Sequence, residues 1–284
     1  MIKWYCRKIT VKGVRNVLFK KKIELSEKNG VKMINGSVQF QAVYLNVHCF
    51  EVDGILIDTG SASLLKQFKP FFEQMDVDRI MLTHYHEDHS GGAHFLQKAF
   101  KLPIFMHPLN IEECRKKASY PLYRKLFWGA RLPFLAQPVG DSFSSRTTNW
   151  KVIETPGHTE DHVAYLNEST GQLFTGDLYV TPKTKVVLRE ESIPQIIRSL
   201  EKVLTYDFLE VYCNHAGYIE NGRDALMRKL HYLKELSYKI EMMNEEGLTT
   251  SEITAQLFSK KYPITKLSLG EWDAAHIVSS VLNK

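Results

Sequence analysis

The stretch THYHEDHSGG, residues 83–92, places three histidines and two acids in the six positions from His84 to His89. Imidazole and carboxylate groups are ligands for divalent metals. An ordinary surface loop has no use for such a concentration, so this stretch constrains the fold more than any other. Just upstream, DRIMLTH (78–84) is a short apolar run that reads as a buried strand feeding the loop. His84 and His86 flank one residue and can turn toward one point, while Asp88 and His89 can serve a second point close by. Two histidines alone do not complete a tetrahedral site. Further ligands are therefore expected at the ends of other strands. His158 in TPGHT follows the run WKVIE, Asp177 in FTGD follows QLF, and His215 in CNHAG follows LEVY. His158 and Asp177 each follow a glycine and His215 lies two residues before one, where a small residue lets backbone approach a crowded centre.

The remaining pattern alternates strand and helix. FQAVYLNVHCFEVDGILIDTG (40–60) has two β-rich runs around Asp53-Gly54, a strong hairpin signal, and the second run ends at Asp58-Thr59-Gly60. Residues 63–75 and 91–100 carry helical spacing, and 103–107 reads as another strand, which together predict an α/β layered domain. Residues 109–146 break the rhythm with seven Lys or Arg against three acids, several aromatics and prolines. They read as an insert, partly helical rather than part of the sheet. The insert is a candidate lid, with Tyr120, Tyr123, Phe127 and Trp128 as its aromatic wall and a basic excess suited to an acidic substrate. Residues 150–180 return to strand–turn–strand logic, 193–204 form an amphipathic helix, and 209–217 read as the final strand. From Arg223 onward, Leu226, Leu230, Leu233, Leu236, Ile240 and Met243 make one apolar stripe. Thr249/Glu252 and Ser268/Glu271 both have capping-box spacing. Residues 1–222 thus read as the metal-bearing domain and 223–284 as a small helical appendage.

HxHxDH followed by a lone His, a lone Asp and a final His resembles the ligand pattern of the metallo-β-lactamase superfamily. DGILIDTG resembles that family's strand-ending DTG, and the likeness spans roughly residues 40–222. The resemblance implies a four-layer αββα sandwich with metals in a groove at one edge of two sheets. It places His84, His86 and His158 on one metal, Asp88, His89 and His215 on the other, and Asp177 between them. Asp58 would orient a ligand histidine. One departure is visible: Asn214 and Ala216 stand where many relatives have glycine on each side of the last histidine.

The implied activity is that of a binuclear metal-dependent hydrolase. A hydroxide bridging two divalent ions would attack an ester-like bond (thioester, lactone or ester) of a small substrate, and an anionic one suits the basic excess. Zn2+ is the favoured metal, with Mn2+ or Fe as alternatives. Asp88 would also relay a proton, and Tyr179, Tyr218 and Trp128 are candidate substrate contacts. In metal set and size the chain is similar to hydroxyacylglutathione hydrolases and quorum-quenching lactonases. Two other activities in the superfamily stay open. The endoribonuclease-type lactamase-beta-like proteins have a winged-helix-like tail, and the persulfide dioxygenases use one iron. The other histidines read as structural, with His162 the nearest to a ligand.

Composition narrows the partners. A net charge of +5 over 284 residues is modest. Residues 223–284 hold nine Lys or Arg against eight acids, too even for a nucleic-acid grip, so a small-molecule substrate is favoured over nucleic acid. No run approaches the roughly 18 apolar residues that span a bilayer. The first 33 residues carry ten Lys or Arg against Glu24 and Glu27 but no apolar core of a secretory signal. Cys6, Cys49, Cys114 and Cys213 show no CxxC spacing and read as reduced thiols of a cytoplasmic protein. The oligomeric state stays open.

Overall fold

The computed structural model describes residues 19–283. Cys6 and the basic residues before position 19 lie outside the described residues. The chain divides at Trp150/Lys151 into two compact units.

The first unit is built on a seven-stranded sheet. β1 (Lys20–Lys28), β2 (Val31–Phe40), β3 (Val43–Val52) and β4 (Ile55–Ile57) form an antiparallel meander. Val52 pairs with Ile55, so Asp53-Gly54 is a two-residue turn, with φ of 45° and 77°. Only residues that tolerate positive φ close a hairpin this tightly. The sheet then turns parallel. β4 is followed in space by β5 (Arg79–Met81), and β5 by β6 (Ile104–Met106). Parallel neighbours need a crossover. The first is α1 (Leu65–Phe72), which buries Phe68 and Phe72. The second contains α2 (Glu87–Ser90) and α3 (Ala93–Phe100).

After β6 come α4 (Ile111–Cys114) and α5 (Leu122–Trp128), as the partly helical character of the insert predicts. The insert nevertheless ends in sheet structure. β7 (Gln137–Pro138) pairs with β6, and β8 (Ser142–Ser144) is a further strand. Pro138 is tolerated because β7 lies at the sheet edge, where no neighbour needs its missing N–H.

The second unit begins within β9 (Asn149–Glu154) and continues through β10 (Val163–Asn167), β11 (Gln172–Phe174) and β12 (Val187–Leu188). α6 (Ile193–Leu204) follows, then β13 (Glu210–Cys213) and β14 (Gly217–Ile219). α6 buries Ile193, Ile196, Leu200 and Val203 at helical spacing and crosses from β11 to its parallel neighbour β13. The run 209–217 is not the final strand: β14 folds back on it, with Cys213 opposite Gly217. The turn between them carries His215. Within this unit the order in space is β14-β13-β11-β10-β9.

The tail consists of α7 (Gly222–Glu245), α8 (Thr250–Leu257), α9 (Pro263–Leu267), β15 (Trp272–Asp273) and α10 (Ala275–Leu282). Leu226, Leu233, Leu236 and Ile240 share one buried cluster with Ile153, Leu200, Val211, Ile253 and Ile277. Leu230 and Met243 pack against it half-buried. The Thr249/Glu252 capping box forms as its spacing predicts. The Ser268/Glu271 pair does not start a helix. Ser268 ends α9, Leu269 and Gly270 turn with φ of 54° and 81°, and Trp272–Asp273 pairs with β12. Strand pairing claims the residues that a first helical turn would need. Among the described residues no helix is long and apolar enough to cross a membrane.

Leu233→Ala should destabilise the protein by about 2–5 kcal/mol in urea unfolding, as for a fully buried leucine. A loss below about 1 kcal/mol would mean that α7 contributes little to the core of the second unit.

Candidate metal centre

Neutral strands and charged ligands meet at strand ends. β4 and β5 are parallel neighbours, so both carboxyl ends emerge on the same side. Asp58 leaves one and the THYHEDHSGG loop leaves the other. Asp58 adopts φ of 58°, and its amide donates to the Met81 carbonyl at 3.0 Å. That conformation is uncommon for a residue with a Cβ. Here the side chain compensates. Asp58 is fully buried and accepts from the Thr83 amide (2.8 Å), the Thr83 hydroxyl (2.7 Å) and His89 Nδ1 (2.8 Å).

These bonds set the histidine tautomers. His89 Nδ1 faces a carboxylate, so it carries the proton and Nε2 is the ligand-capable nitrogen. The Thr83 hydroxyl spends its hydrogen on Asp58, so at 3.1 Å it accepts from His84 Nδ1, which likewise presents Nε2. The ligand atoms of His84 and His86, of His84 and His89, and of Asp88 and His89 each lie within 4.8 Å of one another. All four residues are buried.

The residues around the ligands explain the rest of the two motifs. Ser90 Oγ donates to the carbonyls of Tyr85 and His86, both at 2.8 Å. Thr59 donates its amide (2.7 Å) and its hydroxyl (2.8 Å) to the His89 carbonyl, and its hydroxyl accepts from the Gly92 amide (3.1 Å). A Cβ on Gly91 would stand 2.4 Å from the Ala62 amide nitrogen, and one on Gly92 2.4 Å from the Thr59 carbonyl oxygen. DTG and HSGG are thus two halves of one interlocked backbone contact.

The second unit builds its own cluster in the same way. β11 and β13 are parallel neighbours, and Asp177 and His215 follow their carboxyl ends. His215 Nε2 lies 2.9 Å from Asp177 Oδ2. His158, in the loop between β9 and β10, has Nε2 3.5 Å from the same oxygen. Its Nδ1 lies 3.1 Å from Glu191 Oε2, so Glu191 does for His158 what Asp58 does for His89. Glu191 is nearly buried and also accepts from the Leu188 amide at 2.7 Å. Nothing in the motif spacing pointed to Glu191, because it stands 33 positions beyond the histidine in a segment without a signature.

His162 lies within this cluster but serves as a brace. Its Nε2 accepts from the Asp177 amide at 2.9 Å, which leaves Nδ1 to donate to Thr155 Oγ1 at 2.7 Å. Asn214 is buried and Ala216 exposed, so the two departures from glycine beside His215 bring no crowding from Ala216. Among the described residues, each unit therefore holds buried His and Asp donors of the kind that bind a divalent metal, without a thiolate ligand. Cys213 Sγ instead accepts from the Val180 amide at 3.3 Å.

Residues 45–215 match the family model described as the metallo-beta-lactamase superfamily. The chain belongs to the metallo-beta-lactamase superfamily. It is 27% identical to a hydroxyacylglutathione hydrolase of Aliivibrio fischeri over 243 residues, covering 84% of this chain and 83% of that protein. It is 30% identical to a beta-lactamase-like protein 2 homolog of Drosophila melanogaster over 176 residues, 58% of this chain. That match spans only 56% of the Drosophila protein's length. Among solved structures, a beta-lactamase domain protein from Burkholderia ambifaria superposes with a TM-score of 0.65 at 17% identity, covering 91% of this chain and 87% of that one. The α/β fold with a helical C-terminal region is therefore that of the superfamily.

The three candidate substrate contacts sit differently. Trp128 is buried on α5, Tyr179 is buried beside Asp177, and Tyr218 on β14 is half-buried against Tyr212. Phe127, expected in a lid wall, is buried and packs edge-on against Phe40. The basic excess of the insert is largely engaged. Arg115 and Lys116 pair with Glu112 and Glu113, Arg124 with Glu87, and Arg146 with Asp76 and Asp78. Arg131 donates to the Cys114 carbonyl.

Tyr179 is followed by Val180 at φ of 51°, an outlier for a β-branched residue. Buried Lys229, on α7, donates to the Tyr179 carbonyl and helps to hold this turn. Two predictions follow from these braces. Asp58→Ala leaves buried donors on Thr83 and His89 without their acceptor and should cost at least about 2 kcal/mol in metal-free protein, read by chemical unfolding. Burial lowers the Lys229 pKa from its ordinary 10.5 to about 8. A base with a depressed folded-state pKa opposes folding while protonated, fully below pH 8 and progressively less up to pH 10.5. The stability of the protein relative to Lys229→Met should therefore rise by up to about 3 kcal/mol across that window. A flat difference would show that the amine is not buried as a cation.

Proposed function

We propose that the protein is a binuclear metal-dependent hydrolase that cleaves an ester-like bond of a small molecule, a thioester, lactone or ester. The observation that carries this reading is the pair of carboxylates, Asp58 and Glu191, that orient His89 and His158 from behind. Histidines serving only to pack a core do not need such partners, whereas metal-binding histidines almost always have them. In this reading His84, His86 and His158 would hold one ion, Asp88, His89 and His215 would hold the other, and Asp177 would contribute to both. Zn2+ is the favoured metal, with Mn2+ or Fe as alternatives for the same nitrogen and oxygen donors.

Bound divalent ions would supply a water of lowered pKa and polarise the scissile carbonyl. The protein's own residues do the rest. Asp58 and Glu191 hold the histidines in the tautomer that presents Nε2. His162 fixes the Asp177 backbone through its amide. Asp88, buried beside His89, would relay a proton to the leaving oxygen or sulfur. Tyr179, Tyr218 and Trp128 are the residues to test for substrate contact. Residues 1–222 would form the catalytic portion, with 109–146 shaping the substrate pocket and 223–284 as a helical appendage. Among the described residues Cys49, Cys114 and Cys213 are buried and form no disulfide, which is compatible with a reducing, cytoplasmic setting.

Elemental analysis of the purified protein should find about two zinc or manganese ions per chain, and a panel of thioesters, lactones, esters and RNA should show turnover of the first three classes. Asp177→Asn should lower kcat/KM by more than the roughly 10–100-fold typical of outer-shell partners. One iron per chain with oxygen uptake, or turnover of RNA alone, would overturn the reading.

A further inference from the structure

Among the described residues the insert reaches the candidate metal loop through an ion pair between half-buried Arg124 and buried Glu87. Arg124, on α5, donates from Nε to Glu87 Oε1 at 2.7 Å and from one terminal nitrogen to Glu87 Oε2 at 2.6 Å. Glu87 is the first residue of α2 and stands between His86 and Asp88. Both side chains are largely out of water, with exposures of 12% for Arg124 and 2% for Glu87. A two-bond fork between a guanidinium and a carboxylate fixes direction as well as distance.

Stability does not explain this pair. Removing two charges from water costs several kcal/mol per ion, and replacing such a pair with apolar side chains of similar volume is often neutral or stabilising. The surroundings instead hold Arg124 in place. The Tyr120 ring lies 5.5 Å from its guanidinium, and the Tyr120 hydroxyl donates to the Gly129 carbonyl (2.7 Å) while accepting from the Arg131 amide (2.7 Å). Arg131 in turn donates to the carbonyls of Cys114 and Glu113 at 2.9 and 3.1 Å. At the far end of α5, Ser63 Oγ donates to the Phe127 carbonyl at 2.6 Å. Helix α5 is therefore bolted at both ends, and its one buried charge is aimed at the loop that carries four candidate ligands.

We propose that Arg124 and Glu87 are positioning residues for the metal loop: the fork holds the start of α2 at the orientation in which His86 and Asp88 present their ligand atoms. The inference rests on the metal-binding reading above. It gives the insert a task beside that of shaping a substrate pocket, because α5 braces the loop through Arg124. It also gives Glu87, the non-ligand acid in HYHEDH, a reason to be buried.

The test compares the wild-type protein with Arg124→Lys, Arg124→Met, Glu87→Gln and the double variant Glu87→Met/Arg124→Met. Zinc affinity is read by chelator competition, and the fold by thermal melting of the metal-free protein. Histidine ring nitrogens of the metal-free protein are followed by NMR. The single variants to Met and Gln should bind zinc at least about tenfold more weakly, and Arg124→Lys should recover part of the loss. The double apolar variant leaves no buried unpaired charge, so it should melt near the wild-type temperature and still bind zinc weakly, with displaced His86 ring signals. A double variant with wild-type zinc affinity and unchanged His86 signals would overturn the proposal and leave the pair as packing. If the wild-type protein takes up no zinc, the metal-binding reading fails on its own, and the His86 signals of the metal-free variants decide whether the pair orients the loop.

Discussion

The Asp58 carboxylate is the group on which the first unit's site depends. It is fully buried and takes three hydrogen bonds, two from Thr83 and one from His89. An isolated buried carboxylate would cost several kcal/mol, and charge-assisted bonds to all sides offset that cost. The arrangement ties the end of β4 to the end of β5 and selects the His89 tautomer in the same step. Through Thr83 it reaches His84 as well. A single side chain thus couples sheet geometry to ligand chemistry, and it accepts an uncommon backbone conformation to do so.

The second unit repeats this logic with different parts. Parallel neighbours β11 and β13 deliver Asp177 and His215, and Glu191 orients His158. Parallel strands suit this work because their carboxyl ends open on one side, where loops can converge. His162 shows why a histidine near ligands need not be one. A backbone amide already occupies the nitrogen a metal would need.

The candidate metal ligands were legible because each sits in a short motif at a strand end, where a few consecutive residues carry the pattern. The Asp53-Gly54 turn and the Thr249/Glu252 cap were legible for the same reason: a few consecutive residues contain the whole interaction. Features set by distant partners were not. Glu191 is invisible in any motif, β14 lies past the run that read as the final strand, and Ser268/Glu271 has a cap's spacing without its helix. In that last case a strand pairing with β12, more than eighty positions upstream, overrode local preference. The burial of Phe127 and Trp128 was not legible either, because aromatic composition does not say how deeply a ring packs.

By itself the sequence determined the candidate donor set, the order in which strands present it, and the likeness to a superfamily of metal-dependent hydrolases. Ligand identity is a property of side-chain type, and local spacing carries it. Tertiary structure alone decided which nitrogen each orienting carboxylate holds, which histidine is a brace, and where the insert's charges are spent. Those outcomes depend on contacts such as Arg124 with Glu87, 37 positions apart. Only folding brings such groups within hydrogen-bonding range, where burial makes their pairing obligatory.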